Sequence, residues 1–453
     1  MTKNRYFLIT SIILVLMFSV SINNADQDRR MQRIKTPALQ DIHVEKDNLR
    51  TRNNHQRYAS GQILVKFRPT LSEVQMANLI DVYRSRTIKK IESLNVYQIQ
   101  IPEYYSVEEM VNVFGRNPDV KFAEPNYIAR ITATPNDLLF REQYALHNTG
   151  QDIGVPGSPA GTPRADIKAP EGWEETKGTN STLIAILDTG IDLLHPDLQS
   201  KVVSGGRDFV NDDFDATDDN WHGTHVAGIA AADTNNSEGI AGVAWNCRLL
   251  PVKVLDEEGL GYYSWIAEGI RWAADEGADV ISMSFGGESE GGILREALDY
   301  AKRAGVVIVA SAGNDGDGVF YPAAYDEYCI AVAATDYNDE RPEWSNPGPE
   351  IDVAAPGVRI ISCVPSWFWG PGSYPYGYAG GTSQAAPHVA GLAALIKDLK
   401  PWLRVDEIMD IIRYTAEDVN STTSPGLDEF IGYGRINMDT ALVPIKLTSL
   451  VEK

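Results

Sequence analysis

The chain has 453 residues, 43% of them hydrophobic and 23% charged, and a formal net charge of −22 at pH 7. That length and composition exclude a chain disordered throughout and leave room for more than one packed domain. The charge is uneven: residues 1–130 hold 19 Lys and Arg against 13 Asp and Glu, and the remainder 21 against 49. This argues against a nucleic-acid partner and for cation binding by an acidic body that a basic N-terminal part could pair with.

Residues 1–25 join Lys3 and Arg5 to an apolar run of signal-peptide length, which predicts export, with an uncleaved anchor as the alternative. No other stretch is long and apolar enough to span a bilayer. Residues 26–58 are polar without periodicity and read as a linker. Residues 59–130 predict a small α+β unit, with strands at 62–67, 93–100 and 120–124 and helices at 72–83 and 107–114. An exposed connector follows at 128–135. From 135 to 445 the pattern is α/β. Short apolar runs at 182–187, 248–255, 280–284, 306–310 and 330–334 read as buried parallel strands, and helical patterns lie between them. The prediction is a doubly wound, mainly parallel sheet. Cys247, Cys329 and Cys363 are odd in number and widely separated, so buried free thiols are expected; one bridge with a thiol left over is the alternative.

The stretch Gly380-Gly381-Thr382-Ser383-Gln384 feeds a helix rich in Ala and Gly, apolar on nearly every side and so predicted to be central. With the helix beginning near Ser383, Pro387 falls in its first turn. Ser383 is then an N-cap or a nucleophile beside orphan N–H groups. Asp188-Thr189-Gly190 follows directly on a buried strand, where a carboxylate can orient a histidine. His222-Gly223-Thr224-His225 turns a loop into a helix; it lacks zincin spacing, so His222 reads as a base and His225 as a packed histidine. Asn314, after the strand at 306–310, is an amide donor to an oxyanion or part of an Asn-Asp-Gly turn.

Taken together, these motifs resemble the subtilisin family of serine proteases over residues 135–442, within it the thermitase- and fervidolysin-like members. The resemblance implies Asp188, His222 and Ser383 as a catalytic triad in the chain order of that family, with Asn314 in the oxyanion hole. It also implies that Gly259-Leu260-Gly261 and Ser284-Phe285-Gly286 pair with an extended peptide, and that Tyr263 and Ile266 wall a pocket for the residue four before the cut. Two positions depart from the family: Gln384 where Met is usual, and Phe320 where a small or polar residue lies at the base of the primary pocket. The aromatic stretch 367–378 is longer than usual.

By the same resemblance, Asp137, Asp197 and the loop 233–240 match a calcium site, with the Asn236 side chain and the carbonyls of Asp233, Glu238 and Ile240 as further ligands. A second site is expected within 208–219, with Asp208 and Asp213, against a merely solvated acidic loop. Residues 59–130 resemble an inhibitory, chaperoning pro-domain. The expectation is a secreted, calcium-stabilised endopeptidase made as an autoprocessed precursor, acting on proteins and peptides and held by its own pro-domain, with no nucleic acid and no membrane beyond the signal segment. An inert peptide-binding pseudoprotease and a processing protease selective for basic residues are the rivals.

Overall fold

The computed structural model describes residues 58–128, 134–152, 161–368 and 374–443. The predicted signal segment and nearly all of the linker lie outside them, as do most of the connector and the middle of the aromatic stretch.

The N-terminal unit is a four-stranded antiparallel sheet in the order β2-β3-β1-β4, from β1 (Tyr58–Phe67), β2 (Arg86–Ile91), β3 (Val96–Gln100) and β4 (Val120–Tyr127). Helices α1 (Glu73–Val82) and α2 (Val107–Gly115) each start on a serine capping box, at Ser72 and Ser106. They bury Met76, Ile80, Met110 and Phe114 against Ile63, Val65, Phe67 and Ile99. The predicted unit lacks β2, whose Arg86, Lys89 and Lys90 hide it from a search for apolar alternation.

The large unit is built on seven parallel strands: β5 (Leu183–Asp188), β6 (Arg207–Asp208), β7 (Arg248–Lys253), β8 (Val280–Met283), β9 (Val307–Ser311), β10 (Cys329–Thr335) and β11 (Ile351–Pro356), in the order β11-β10-β9-β8-β5-β7-β6. Leu183, Ala185 and Leu187 of β5 enter one core and Ile184 and Ile186 the other. Both faces are thus covered, which is why the strands read as unbroken apolar runs. One face carries α3 (His222–Ala231), α6 (Thr382–Leu399) and α7 (Val405–Thr415); the other carries α4 (Tyr263–Asp275) and α5 (Gly292–Arg303). A two-stranded ribbon, β12 (Ile360–Cys363) and β13 (Tyr376–Ala379), precedes α6.

Helix α6 is the predicted central helix. Burying Val389, Leu392, Leu395 and Ile396 completely contributes about 1.5–3 kcal/mol each and anchors it in the core. Its start differs from expectation: Thr382 is the first helical residue, so Pro387 is the sixth and lies beyond the first turn. Cys247, Cys329 and Cys363 are free and buried, so no bridge forms among them. Among the described residues no helix is long and apolar enough to cross a membrane.

Candidate active site

Asp188 ends β5, beside the point where the chain turns from β7 on one side to β8 on the other, and crevices form at such switch points. Its carboxylate is fully buried, and Oδ1 accepts from Nδ1 of His222 at 2.7 Å. That closeness depends on two glycines: a β-carbon on Gly223 would stand 2.1 Å from the Gly190 carbonyl, so the loop after Asp188 and the start of α3 meet backbone to backbone. Burial pulls the His222 pKa down, the Asp188 charge and hydrogen bond and the nearby Asp218 push it up, and the net is a rise above the ordinary histidine value.

Ser383 is the second residue of α6, where a backbone N–H has no intrahelical partner. Its hydroxyl donates to the Ser284 carbonyl at 2.8 Å rather than to His222. Asn314 follows β9, and its Oδ1 accepts from both the backbone N–H (2.8 Å) and the hydroxyl (3.0 Å) of Thr382. The Thr382 hydroxyl accepts in turn from Gly313 N–H at 3.1 Å. With its oxygen engaged, the Asn314 amide has only its N–H donors left to offer a ligand.

His225 is buried against Trp221 and the Gly377 carbonyl, and desolvation pushes its pKa down to about 3. It is a neutral packed histidine. Leu260 is exposed at the tip of its turn, and Asn220 Nδ2 donates to the Glu257 carbonyl at 2.9 Å, tying that loop to the loop carrying His222. Gly259 closes this turn with φ +77°. A β-carbon on Gly261 would meet the Val254 carbonyl at 2.4 Å. Tyr263 donates to the Ser289 carbonyl and lies against Gly287 and Gly291, in the loop that follows the second predicted peptide-pairing segment. Ile266 is core. Phe285 packs on the same core, and Phe320 lies between Gly286 and Gly313.

Asp137 and Asp197 are both buried, and neither forms an ion pair among the described residues. Burial, with the Asp197 charge adding to it, raises the Asp137 pKa to about 6. Asp137 accepts from Asn235 N–H at both oxygens; Asp197 accepts from Asn236 Nδ2 (2.8 Å), Ile240 N–H (2.9 Å) and the Tyr376 hydroxyl (2.9 Å). Loop 233–240 therefore wraps two uncompensated carboxylates, a donor set that fits a hard cation. The Asp233 side chain turns away to Ser200, and Glu238 donates its backbone N–H to the Asn236 side chain.

The loop 208–219 is arranged differently. Asp208 accepts from Val210 and Asn211, Asp213 caps its own turn at Asp215, and Arg207 pairs with Asp212. Among the described residues no three His, Cys, Asp or Glu side chains gather as a metal group, either here or around Asp137 and Asp197, so the two loops differ in how their carboxylates are engaged. Asp208, Asp213 and Asp215 accept from the loop's own backbone, whereas Asp212 and Asp219 pair with Arg207 and Lys253.

Several contributors escape a sequence reading. Asp218 is buried and accepts from the Thr189 hydroxyl, the N–H groups of Asn220, Trp221 and Thr224, and the Thr224 hydroxyl, clamping the Asp188 loop to the start of α3. Thr382 straps Asn314 to the residue before Ser383. Tyr376 gives the aromatic stretch a role, since its hydroxyl holds Asp197. Adjacency to Ser383 was the available signal for Thr382; for the other two, nothing local distinguishes them from an acidic loop or an aromatic run.

An imidazole oriented by a buried carboxylate, with a serine at a helix start on the same sheet, is the arrangement of a serine hydrolase. The subtilase family matches residues 179–434, and the fervidolysin N-terminal prodomain family matches residues 45–126. The chain is 39% identical over 387 residues to a thermophilic serine proteinase of a Bacillus species (strain AK1), covering 85% of this chain and 88% of that one. It is 44% identical over 272 residues to thermitase of Thermoactinomyces vulgaris, covering 60% and 91%. The structure of fervidolysin from Fervidobacterium pennivorans, described as a keratinolytic enzyme related to subtilisin, superposes with a TM-score of 0.57 at 28% identity, covering 87% of this chain and 62% of that one. The chain belongs to the subtilase family of serine proteases.

Proposed function

We propose that the protein is the precursor of a secreted, calcium-stabilised endopeptidase that cuts extended polypeptides through an acyl-enzyme. The observation that carries this reading is the 2.7 Å bond from His222 Nδ1 to buried Asp188, with the Asn314 amide strapped to the start of the helix bearing Ser383. For attack, the Ser383 hydroxyl exchanges the Ser284 carbonyl for His222 Nε2 as its acceptor. His222 takes the proton as Ser383 Oγ bonds to the peptide carbonyl carbon, and Asp188 fixes the tautomer and stabilises the imidazolium. The Asn314 amide and Ser383 N–H hold the oxyanion. His222 then gives its proton to the leaving amine, and water, deprotonated by the same imidazole, resolves the ester.

Asp137, Asp197 and Asn236, with the carbonyls of Asp233, Glu238 and Ile240, would hold calcium; bound there, it supplies the positive charge that the two carboxylates lack. Residues 59–130 act as an intramolecular inhibitor, a role supported by the prodomain match and by their basic charge against an acidic partner. Intact masses of wild type and Ser383→Ala, purified with calcium, test the reading. Loss of the N-terminal part near residue 130 in wild type alone supports it. Cutting of both assigns processing to a host protease, and cutting of neither removes self-processing from the account.

A further inference from the structure

Pro387 has no N–H, and its ring crowds the carbonyl four residues before it, which belongs to Ser383. The Ser383 carbonyl therefore lacks the hydrogen bond that residue 387 would donate in a regular helix. It is satisfied from the sheet instead, because the Ser284 hydroxyl donates to it at 2.8 Å. The return bond runs from the Ser383 hydroxyl to the Ser284 carbonyl, also at 2.8 Å. Ser284 follows β8 directly and is buried. The two serines thus bond each other twice, once through each hydroxyl, and this pair joins the end of a central strand to the start of α6.

We propose that the Ser284 hydroxyl is a positioning residue for the nucleophile, taking the place of the helix bond that Pro387 withholds. The inference rests on the reading of Ser383 as the nucleophile. Without the Ser284 donor the half-buried Ser383 carbonyl loses the partner that stands in for residue 387, and the peptide unit can tilt. A tilt there moves Ser383 Oγ relative to His222, and with it the backbone N–H offered to the oxyanion, which costs rate more than binding. The backbone carbonyl of Ser284, which accepts from the Ser383 hydroxyl, is unchanged by truncation of its side chain. Substrate binding is therefore expected to persist.

The test is steady-state hydrolysis of a chromogenic peptide by the mature enzyme, with kcat and KM separated, for S284A, S284T, P387A and S284A/P387A beside S383A. The expected result for S284A is a fall in kcat of about 10-fold to 100-fold with KM changed by less than about 3-fold. S284T keeps the hydroxyl and stays within about 3-fold of wild type. The double variant S284A/P387A supplies a backbone N–H at position 387 that can reach the Ser383 carbonyl, and it recovers at least about 10-fold in kcat over S284A. Unchanged kcat in S284A overturns the proposal, as does a loss that P387A leaves entirely unrepaired. Should S284A alone fail to fold by near-ultraviolet circular dichroism, the double variant decides: a folded, active protein supports the proposal, and continued failure overturns it. Full activity in S383A would instead remove the nucleophile reading on which the inference stands.

Discussion

Phe320 stands hard against Gly286: a β-carbon on Gly286 would lie 2.7 Å from Phe320 Cβ, and one on Gly313 would lie 3.0 Å from the Phe320 ring. The ring therefore fills the space between the segment after β8 and the loop after β9, where the residue before the scissile bond is expected to place its side chain. A shallow pocket follows, and cleavage after Ala or Leu should be faster than after Phe. Phe320→Gly empties it and should raise kcat/KM for Phe at that position by about 10-fold or more, since burying a large side chain is worth about 1.5–3 kcal/mol. A peptide series varied at that one position measures it; faster cleavage after Phe by the unmodified enzyme contradicts the prediction.

The elevated His222 pKa sets the acid limb of activity. A general base works in its neutral form, so kcat/KM should fall as pH drops through a midpoint above the ordinary histidine value of about 6.5. Because the Asp188 charge is what raises it against burial, Asp188→Asn should move that midpoint to lower pH. The same change should cut kcat by about 10⁴-fold by releasing the imidazole tautomer. A kcat/KM profile from pH 5 to 9 for both proteins reads the shift, and a midpoint that does not move would assign the perturbation to another group.

Asp137 and Asp197 are both buried against loop 233–240 with no ion pair to either among the described residues, so calcium should be a condition of stability rather than of chemistry. Excess chelator should lower Tm and speed self-digestion, by an amount that grows with calcium saturation. Asp197→Asn should abolish the calcium dependence of Tm, whereas Asp208→Asn should preserve it, because Asp208 is engaged by its own hairpin. Calorimetry with and without added calcium separates the two; equal loss in both variants would return the loop 208–219 to consideration.

Gln384 sits buried beside Ser383, and Met283, the nearest methionine along the Ser284 segment, is fully buried. With no accessible thioether next to the nucleophile, the enzyme should keep most of its activity in dilute peroxide. Gln384→Met should make it sensitive. Residual activity after timed exposure reports this, and rapid inactivation of the unmodified protein would show that another oxidisable group controls the site.

Much of this was legible in the chain. Strands β5, β7, β8, β9 and β10 and helix α6 announced themselves as apolar runs, and Asp188, His222, Ser383 and Asn314 stood out as polar residues close to the ends of strands or the starts of helices. What escaped did so for physical reasons. Strand β2 carries Arg86, Lys89 and Lys90 because its surface faces solvent. Strand β11 contains Asp352, whose pairing with Arg413 from α7 cannot be inferred from neighbours in sequence. Pro387 was expected in the first turn, and the helix in fact opens a full turn before it.

By itself the sequence determined the class of fold and the chemistry available to it. Periodicity and composition follow from burial, which acts residue by residue, and motifs record which side chains stand next to one another along the chain. Only the tertiary structure decided how those groups are held. The Gly190–Gly223 approach brings His222 to Asp188, Asp218 clamps both loops, Thr382 aims the Asn314 amide, and Ser284 answers the carbonyl that Pro387 leaves open. Each of these is a hydrogen bond or a close packing between segments 29 or more residues apart. Such contacts are fixed when the sheet and its helices close together, and local sequence preference does not specify them.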